Sequence, residues 1–86
     1  MNTFKFIIST PEGKAFEDEI SEVSLRGKEG NLSILAGHVP FVTLVVPCVC
    51  VLTLKDGLQK EGKIKSGILS VGTEDTVLAT SNFELK

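Results

Sequence analysis

Gly27-Lys28-Glu29-Gly30-Asn31-Leu32-Ser33-Ile34-Leu35-Ala36-Gly37-His38-Val39-Pro40 reads as one short strand held between two turns. Gly27 and Gly30 bracket a tight turn that calls for positive φ angles, which glycine adopts without steric cost. Leu32 and Ile34 then alternate with Asn31 and Ser33, the period-two pattern of a strand with one buried face. Gly37-His38-Val39-Pro40 makes a rigid corner, because proline presets its own φ and restricts the residue before it.

The same unit, a short apolar run closed by turn residues, organises the rest of the chain. Turn signals recur at Pro11-Glu12-Gly13, Asp56-Gly57, Ser66-Gly67 and residues 72–75. Runs rich in Val, Ile, Thr and Phe fill the gaps, which is how a β-sandwich or barrel appears in sequence. Phe4, Phe6 and Ile8 share one face against Lys5 and Ser9, and Val23 and Leu25 share one against Ser24 and Arg26. Helix signals are scarce: there are three alanines, and no window repeats apolar residues at helical spacing over three turns. The chain therefore reads as all-β. Its 86 residues leave room for a single domain over 1–86, with no internal repeat or linker.

Asp56-Gly57 lies between two strand-like runs, and Asp-Gly favours a two-residue type I′ hairpin turn. That turn predicts Val49 opposite Ile64 and Val51 opposite Gly62. With Val49 and Val51 inward, Cys50, Leu52 and Leu54 would point outward. Residues 41–54 are apolar on both faces of such a strand. Either another segment of the same chain covers the second face, or a partner subunit does.

Composition excludes several functions. The net charge is −2, with six acids against three bases between residues 11 and 31 (−3) and +1 over the remainder. No stripe of Lys and Arg is present to replace phosphate counterions, so no nucleic-acid partner is expected. The uncharged stretch 37–54 is 18 residues long, close to the roughly 20 that span a bilayer as a helix. Its Gly37, Pro40, Pro47 and many Val and Thr residues favour strands instead, so no direct membrane insertion is expected. The N-terminus lacks the basic-then-apolar layout of a signal peptide.

Chemistry has little to work with. His38 is the only histidine, which excludes two-histidine metal sites within the chain. Cys48 and Cys50 are one residue apart; neighbours on one side of a strand point in parallel, which does not suit a disulfide. They read as packed apolar groups, with a thiol or metal site as the competing possibility. Neither a Gly-x-Ser-x-Gly elbow nor a phosphate-binding glycine loop occurs. The run Glu17-Asp18-Glu19 reads as a solvated turn. No lysine sits in the tight turn that biotinyl or lipoyl carriers use. No enzymatic activity and no cofactor are expected.

The segment 27–40 also resembles the signature of F-type ATP synthase epsilon subunits, Gly-x-Glu-Gly-x-Leu-x-Ile-Leu-Pro-Gly-His-x-Pro. Thr10-Pro11-Glu12-Gly13 with Phe16 is similar to the family's first hairpin. Ser66-Gly67-Ile68-Leu69-Ser70-Val71 and Val77-Leu78-Ala79 are similar to two later strands, so the resemblance spans about residues 4–80. It implies a flattened β-sandwich of about ten short, mainly antiparallel strands. It also implies a non-catalytic rotor part of the central stalk, binding the gamma subunit and contacting the ring of c subunits to couple ion-driven rotation to ATP synthesis.

By the same resemblance, Thr10, His38 and Thr43 face gamma, and Glu29, Gly30 and Asn31 form the tip that meets the c ring. The location implied is peripheral, on the cytoplasmic side of the energy-transducing membrane. The match has departures: Asn31 where the family often has an acid, Ala36 for a proline, and Cys48 for a glycine after Pro47. The chain ends at Lys86, where the family continues into a helical hairpin that restrains ATP hydrolysis. With that hairpin absent, neither inhibition nor nucleotide binding is expected of this chain. The competing reading is an unrelated non-enzymatic β-sandwich adaptor that shares the turn motif.

Overall fold

The computed structural model describes residues 2–85. Nine strands run through them in the order β1 (Phe4–Thr10), β2 (Gly13–Gly27), β3 (Gly30–Leu35), β4 (Phe41–Val45), β5 (Cys48–Leu54), β6 (Gln59–Ile64), β7 (Gly67–Val71), β8 (Asp75–Thr80) and β9 (Phe83–Leu85). They form two packed layers. One layer runs β3-β2-β5-β6-β9, and the other runs β2-β1-β8-β7-β4. All pairings are antiparallel except β1 with β8.

Strand β2 belongs to both layers, and a bulge lets it do so. Its first half pairs with β1, from Thr10 opposite Gly13 to Phe4 opposite Ile20. Its second half pairs with β3 on one side and β5 on the other. Between Ile20 and Glu22 the β2–β5 register slips by one residue. Ile20 and Ser21 are consecutive and both buried, after which Val23 and Leu25 carry the buried face. One extra residue bends the strand and switches its inward set from even to odd positions. The buried Ser21 hydroxyl donates to the Thr53 carbonyl at 3.2 Å, so the bulge leaves no orphaned hydroxyl.

The core lies between the layers. Phe6 and Ile8 come from β1, Ile20, Val23 and Leu25 from β2, Ile34 from β3, and Cys50 and Leu52 from β5; Leu69 and Leu78 close it from β7 and β8. At the open end, the buried Thr80 hydroxyl faces the carbonyls of Ser66 at 3.0 Å, Lys65 at 3.1 Å and Asn82 at 3.4 Å. It ties the β6–β7 and β8–β9 connections together.

The β5–β6 hairpin departs from the sequence expectation. Cys48 lies opposite Ile64, Cys50 opposite Gly62 and Leu52 opposite Lys60, one residue away from the register of a two-residue loop. The loop is Lys55-Asp56-Gly57, with Gly57 at φ 90°. The Gly57 amide donates to the Leu54 carbonyl at 2.9 Å, and the Leu54 amide donates to the Leu58 carbonyl at 2.8 Å. A three-residue loop with glycine at the left-handed position is the next commonest hairpin solution. A one-residue slip inverts every side chain. Cys50 and Leu52 are thus buried, and Val49 and Val51 face outward.

Residues 41–54 are likewise not one strand. The chain breaks at Val46-Pro47, so β4 lies in one layer and β5 in the other. Both meet the long β2. Val45 is opposite Gly27, and the Val46 amide donates to the Arg26 carbonyl at 3.1 Å. At the β2–β3 turn only Gly30 has a positive φ, of 129°. At Gly27 a Cβ would stand 2.6 Å from the Leu32 Cδ2 and 3.4 Å from the Leu44 carbonyl oxygen, so a side chain there would have to displace the Leu32 tip.

Candidate partner-binding surface

Strand β4 alternates against expectation for an apolar segment. Phe41, Thr43 and Val45 lie on the inward side, and Val42 and Leu44 lie on the outward side. Val42 is 69% exposed and Leu44 51%. Directly across the ladder from Leu44 is Ile68 of β7, 47% exposed. The row continues through Ala79 of β8 to Ser9 of β1. A parallel row runs Val42, Ser70, Val77 and Ile7. The outer face of the β1-β8-β7-β4 layer is thus an apolar band with its most exposed part at the β4 edge. Val39, in the corner before β4, is 73% exposed as well. Contiguous exposed apolar surface of this kind marks a contact site.

At its β1 end the band meets charge. Glu17, opposite Ile7 on β2, receives Lys14 Nζ at 2.8 Å and Lys5 Nζ at 3.1 Å. Hydrogen bonds from Lys14 and then Lys5 hold the Glu17 carboxyl below its usual range, and the Glu17 contact raises Lys5. These groups are exposed, so they frame the surface and add little stability.

Three of the residues singled out in the sequence, Thr10, Thr43 and Glu29, line depressions that share Ile68 of this band. Thr10 ends β1, where its hydroxyl donates to the Gly13 carbonyl at 3.1 Å and accepts the Glu12 amide at 3.3 Å. It lines a shallow depression with Ile68 and Ala79. Thr43 lines another with Glu29, Val42, Leu44 and Ile68. Ile68 therefore joins Thr10, Thr43 and the tip residue Glu29. His38 is exposed at the start of the corner; its amide donates to the Leu35 carbonyl at 3.2 Å and its ring centroid is 5.1 Å from that of Phe41.

Gly30 and Asn31 sit at the β2–β3 hairpin end. Asn31 turns away from the band, and its Oδ1 accepts Arg26 Nε at 3.2 Å. Sequence reading singled out residues 41–54 as a partner hint but not Val42, Leu44 and Ile68 themselves. The only available signal was alternation inside an all-apolar run, which does not reveal the solvent side.

No potential metal cluster of three or more His, Cys, Asp or Glu side chains occurs among the described residues. Both cysteines are free thiols. Cys50 is packed in the core, and burial pushes its thiol up to about 11. Cys48, half-buried, accepts the Arg26 amide at its Sγ at 3.4 Å. No helix among the described residues is long and apolar enough to cross a membrane.

Comparison with known proteins agrees with this architecture. The family model described as ATP synthase, delta/epsilon chain, beta-sandwich domain, matches residues 3–86. The chain is 41% identical over 76 residues to an ATP synthase epsilon chain of Clostridium novyi, covering 88% of this chain and 58% of that one. It is 35% identical over 82 residues to the sodium ion specific epsilon chain of Acetobacterium woodii, covering 95% and 62%. It thus spans about three fifths of the length of these curated relatives.

A chain in the structure of the Euglena gracilis mitochondrial ATP synthase superposes with a TM-score of 0.90 at 18% identity, covering 96% of this chain and 53% of that one. A chain from the central stalk and c-ring of the Tetrahymena thermophila enzyme gives 0.77 at 12% identity, covering 95% and 66%. At those identities the structural matches bear on the fold. The match over residues 3–86 and the identities above 30% go further: this chain belongs to the ATP synthase delta/epsilon chain family, as its β-sandwich domain.

Proposed function

We propose that this chain acts in the rotor of an F-type ATP synthase as a non-catalytic central-stalk subunit. The exposed apolar band of Val42, Leu44 and Ile68 carries the reading, because a surface of this type is covered in an assembly. Its partner is the gamma subunit, with Thr10, His38 and Thr43 around the rim of the contact. The β2–β3 tip at Glu29, Gly30 and Asn31 reaches the polar loops of the c ring. The chain performs no chemistry of its own and binds no cofactor. It transmits ring rotation to the shaft by being held to both. Its place is peripheral, on the cytoplasmic side of the energy-transducing membrane. The relatives named epsilon chain support this assignment, and the structural neighbours support the fold it requires.

The test is capture of the tagged chain from its source lysate, with mass spectrometry of the retained proteins. Recovery of gamma together with the alpha and beta subunits is expected. A folded chain that retains none of them would point to a β-sandwich adaptor outside the synthase.

A further inference from the structure

We infer that two copies of this chain, when free of other partners, pair antiparallel through the open edge of β4, with Val42 opposite Val42 of the second copy. Strand β4 pairs with β7 over its whole length, Phe41–Val45, but with β2 only where Val45 lies opposite Gly27. Beside that pair the Lys28 amide donates to the Leu44 carbonyl and the Val46 amide to the Arg26 carbonyl, both at 3.1 Å. Backbone groups alternate sides along a strand, so residues 42, 44 and 46 turn theirs away from β7. Pro40, just before β4, continues the alternation. Among the described residues, the Leu44 amide, the Val42 amide and carbonyl, and the Pro40 carbonyl have no backbone partner on that edge. A depression of about 560 Å³, lined by Phe41, Val42, Thr43 and Leu44 with Lys28 and Glu29, leaves room beside it.

The order of these groups selects the occupant. Laid antiparallel about Val42, a second copy exchanges both Val42 hydrogen bonds, and each Leu44 amide meets the Pro40 carbonyl of the other copy. The remaining position separates a copy from an arbitrary strand. Any incoming strand faces the Leu44 carbonyl, which already accepts the Lys28 amide. An ordinary residue there would bring an amide with no free acceptor, a buried donor left unmatched. In a second copy that residue is Pro40, which has no amide. The contact is therefore isologous, the same edge on both copies. Residues 40–44 carry no charge, so no like charges meet on the paired strands, and the edge lacks the lysines that usually block strand addition.

The pairing uses the backbone edge of β4, whereas the rotor assignment uses the Val42 and Leu44 side chains, so it does not rest on that assignment. Because both need β4, the paired state belongs to the chain free of gamma. Sedimentation velocity of the purified chain up to about 1 mM, where small interfaces associate, tests the inference together with amide hydrogen exchange. The mass is expected to rise with concentration towards that of a dimer. Exchange at the Val42 and Leu44 amides is expected to slow in step, while the Thr43 amide, held by β7, stays protected at every concentration. Val42→Pro removes an amide that the fold does not use; this variant is expected to stay monomeric with its denaturation midpoint retained. Val42→Lys, which sets like charges side by side across the axis, is expected to weaken the dimer about tenfold. Three results would overturn the inference: a monomer at every concentration, Val42 exchange that ignores concentration, or a dimer that survives both substitutions in the folded chain.

Discussion

Leu44 and Ile68 stand opposite one another across the β4–β7 ladder, both about half exposed, at the point where the depressions lined by Thr10, Thr43 and Glu29 meet. Two large aliphatic side chains paired on the solvent side contribute little to the fold. They become valuable only when a partner covers them. Leu44→Asp and Ile68→Asp are therefore expected to leave the denaturation midpoint nearly unchanged, since exposed substitutions usually stay within about 0.5 kcal/mol. Each should lower gamma affinity at least about tenfold, as for a buried interface anchor. Chemical denaturation and titration with purified gamma measure the two effects separately.

His38 offers a second separation. Its side chain is exposed; besides its ring contact with Phe41, the Nδ1 lies 3.1 Å from the Val39 carbonyl. His38→Glu is expected to fold normally and to bind gamma less well, read by the same two assays. Unfolding of this variant would instead make the histidine part of the corner's structure.

Cys50 sets a pH dependence. Burial raises its thiol from an ordinary 9.0 to about 11. The folded chain therefore holds a proton that the unfolded chain releases. The stabilisation is complete below pH 9 and is lost as pH rises towards 11. Stability measured across that window should fall in the wild type and fall less in Cys50→Ala. At pH 8, a thiol reagent should modify the half-buried Cys48 and reach Cys50 only on denaturation.

Thr80 should matter for stability alone. Its hydroxyl lies among three carbonyls that join two connections. Thr80→Val keeps the shape and removes the donor, leaving partly buried acceptors unmatched, at a cost of about 1–3 kcal/mol. Thermal unfolding checks the loss, and gamma binding of the folded fraction should be unchanged.

Gly67 provides the sharpest steric test. A Cβ at this position would collide with the Ala79 backbone carbonyl across the β7–β8 pairing. Backbone cannot swing aside as a side-chain tip can. Gly67→Ala is expected to destabilise by about 1–3 kcal/mol, the usual cost of overpacking. A midpoint equal to wild type in urea would show that the two strands separate freely there.

What the amino-acid sequence determined by itself is local. Alternation in Phe4, Phe6 and Ile8, and in Leu32 and Ile34, established strands with one buried face, and glycine and proline placed the turns. The pattern from Gly27 to Pro40 was specific enough to name the family. The tertiary structure decided what alternation leaves open. A two-residue and a three-residue reading of Lys55-Asp56-Gly57 are both permitted locally, and only the second buries Cys50 and Leu52 against Phe6 and the rest of the core.

Likewise, residues 41–54 are apolar on every side, so their own pattern does not name the face that meets water. That choice was made by strands far away in the chain. Pairing of β4 with β7 put Leu44 beside Ile68 on the outside, and pairing of β5 with β2 and β6 put Val49 and Val51 on the opposite outer face. Burial is a property of which layers close over a residue, and that depends on long-range pairing that no local period encodes.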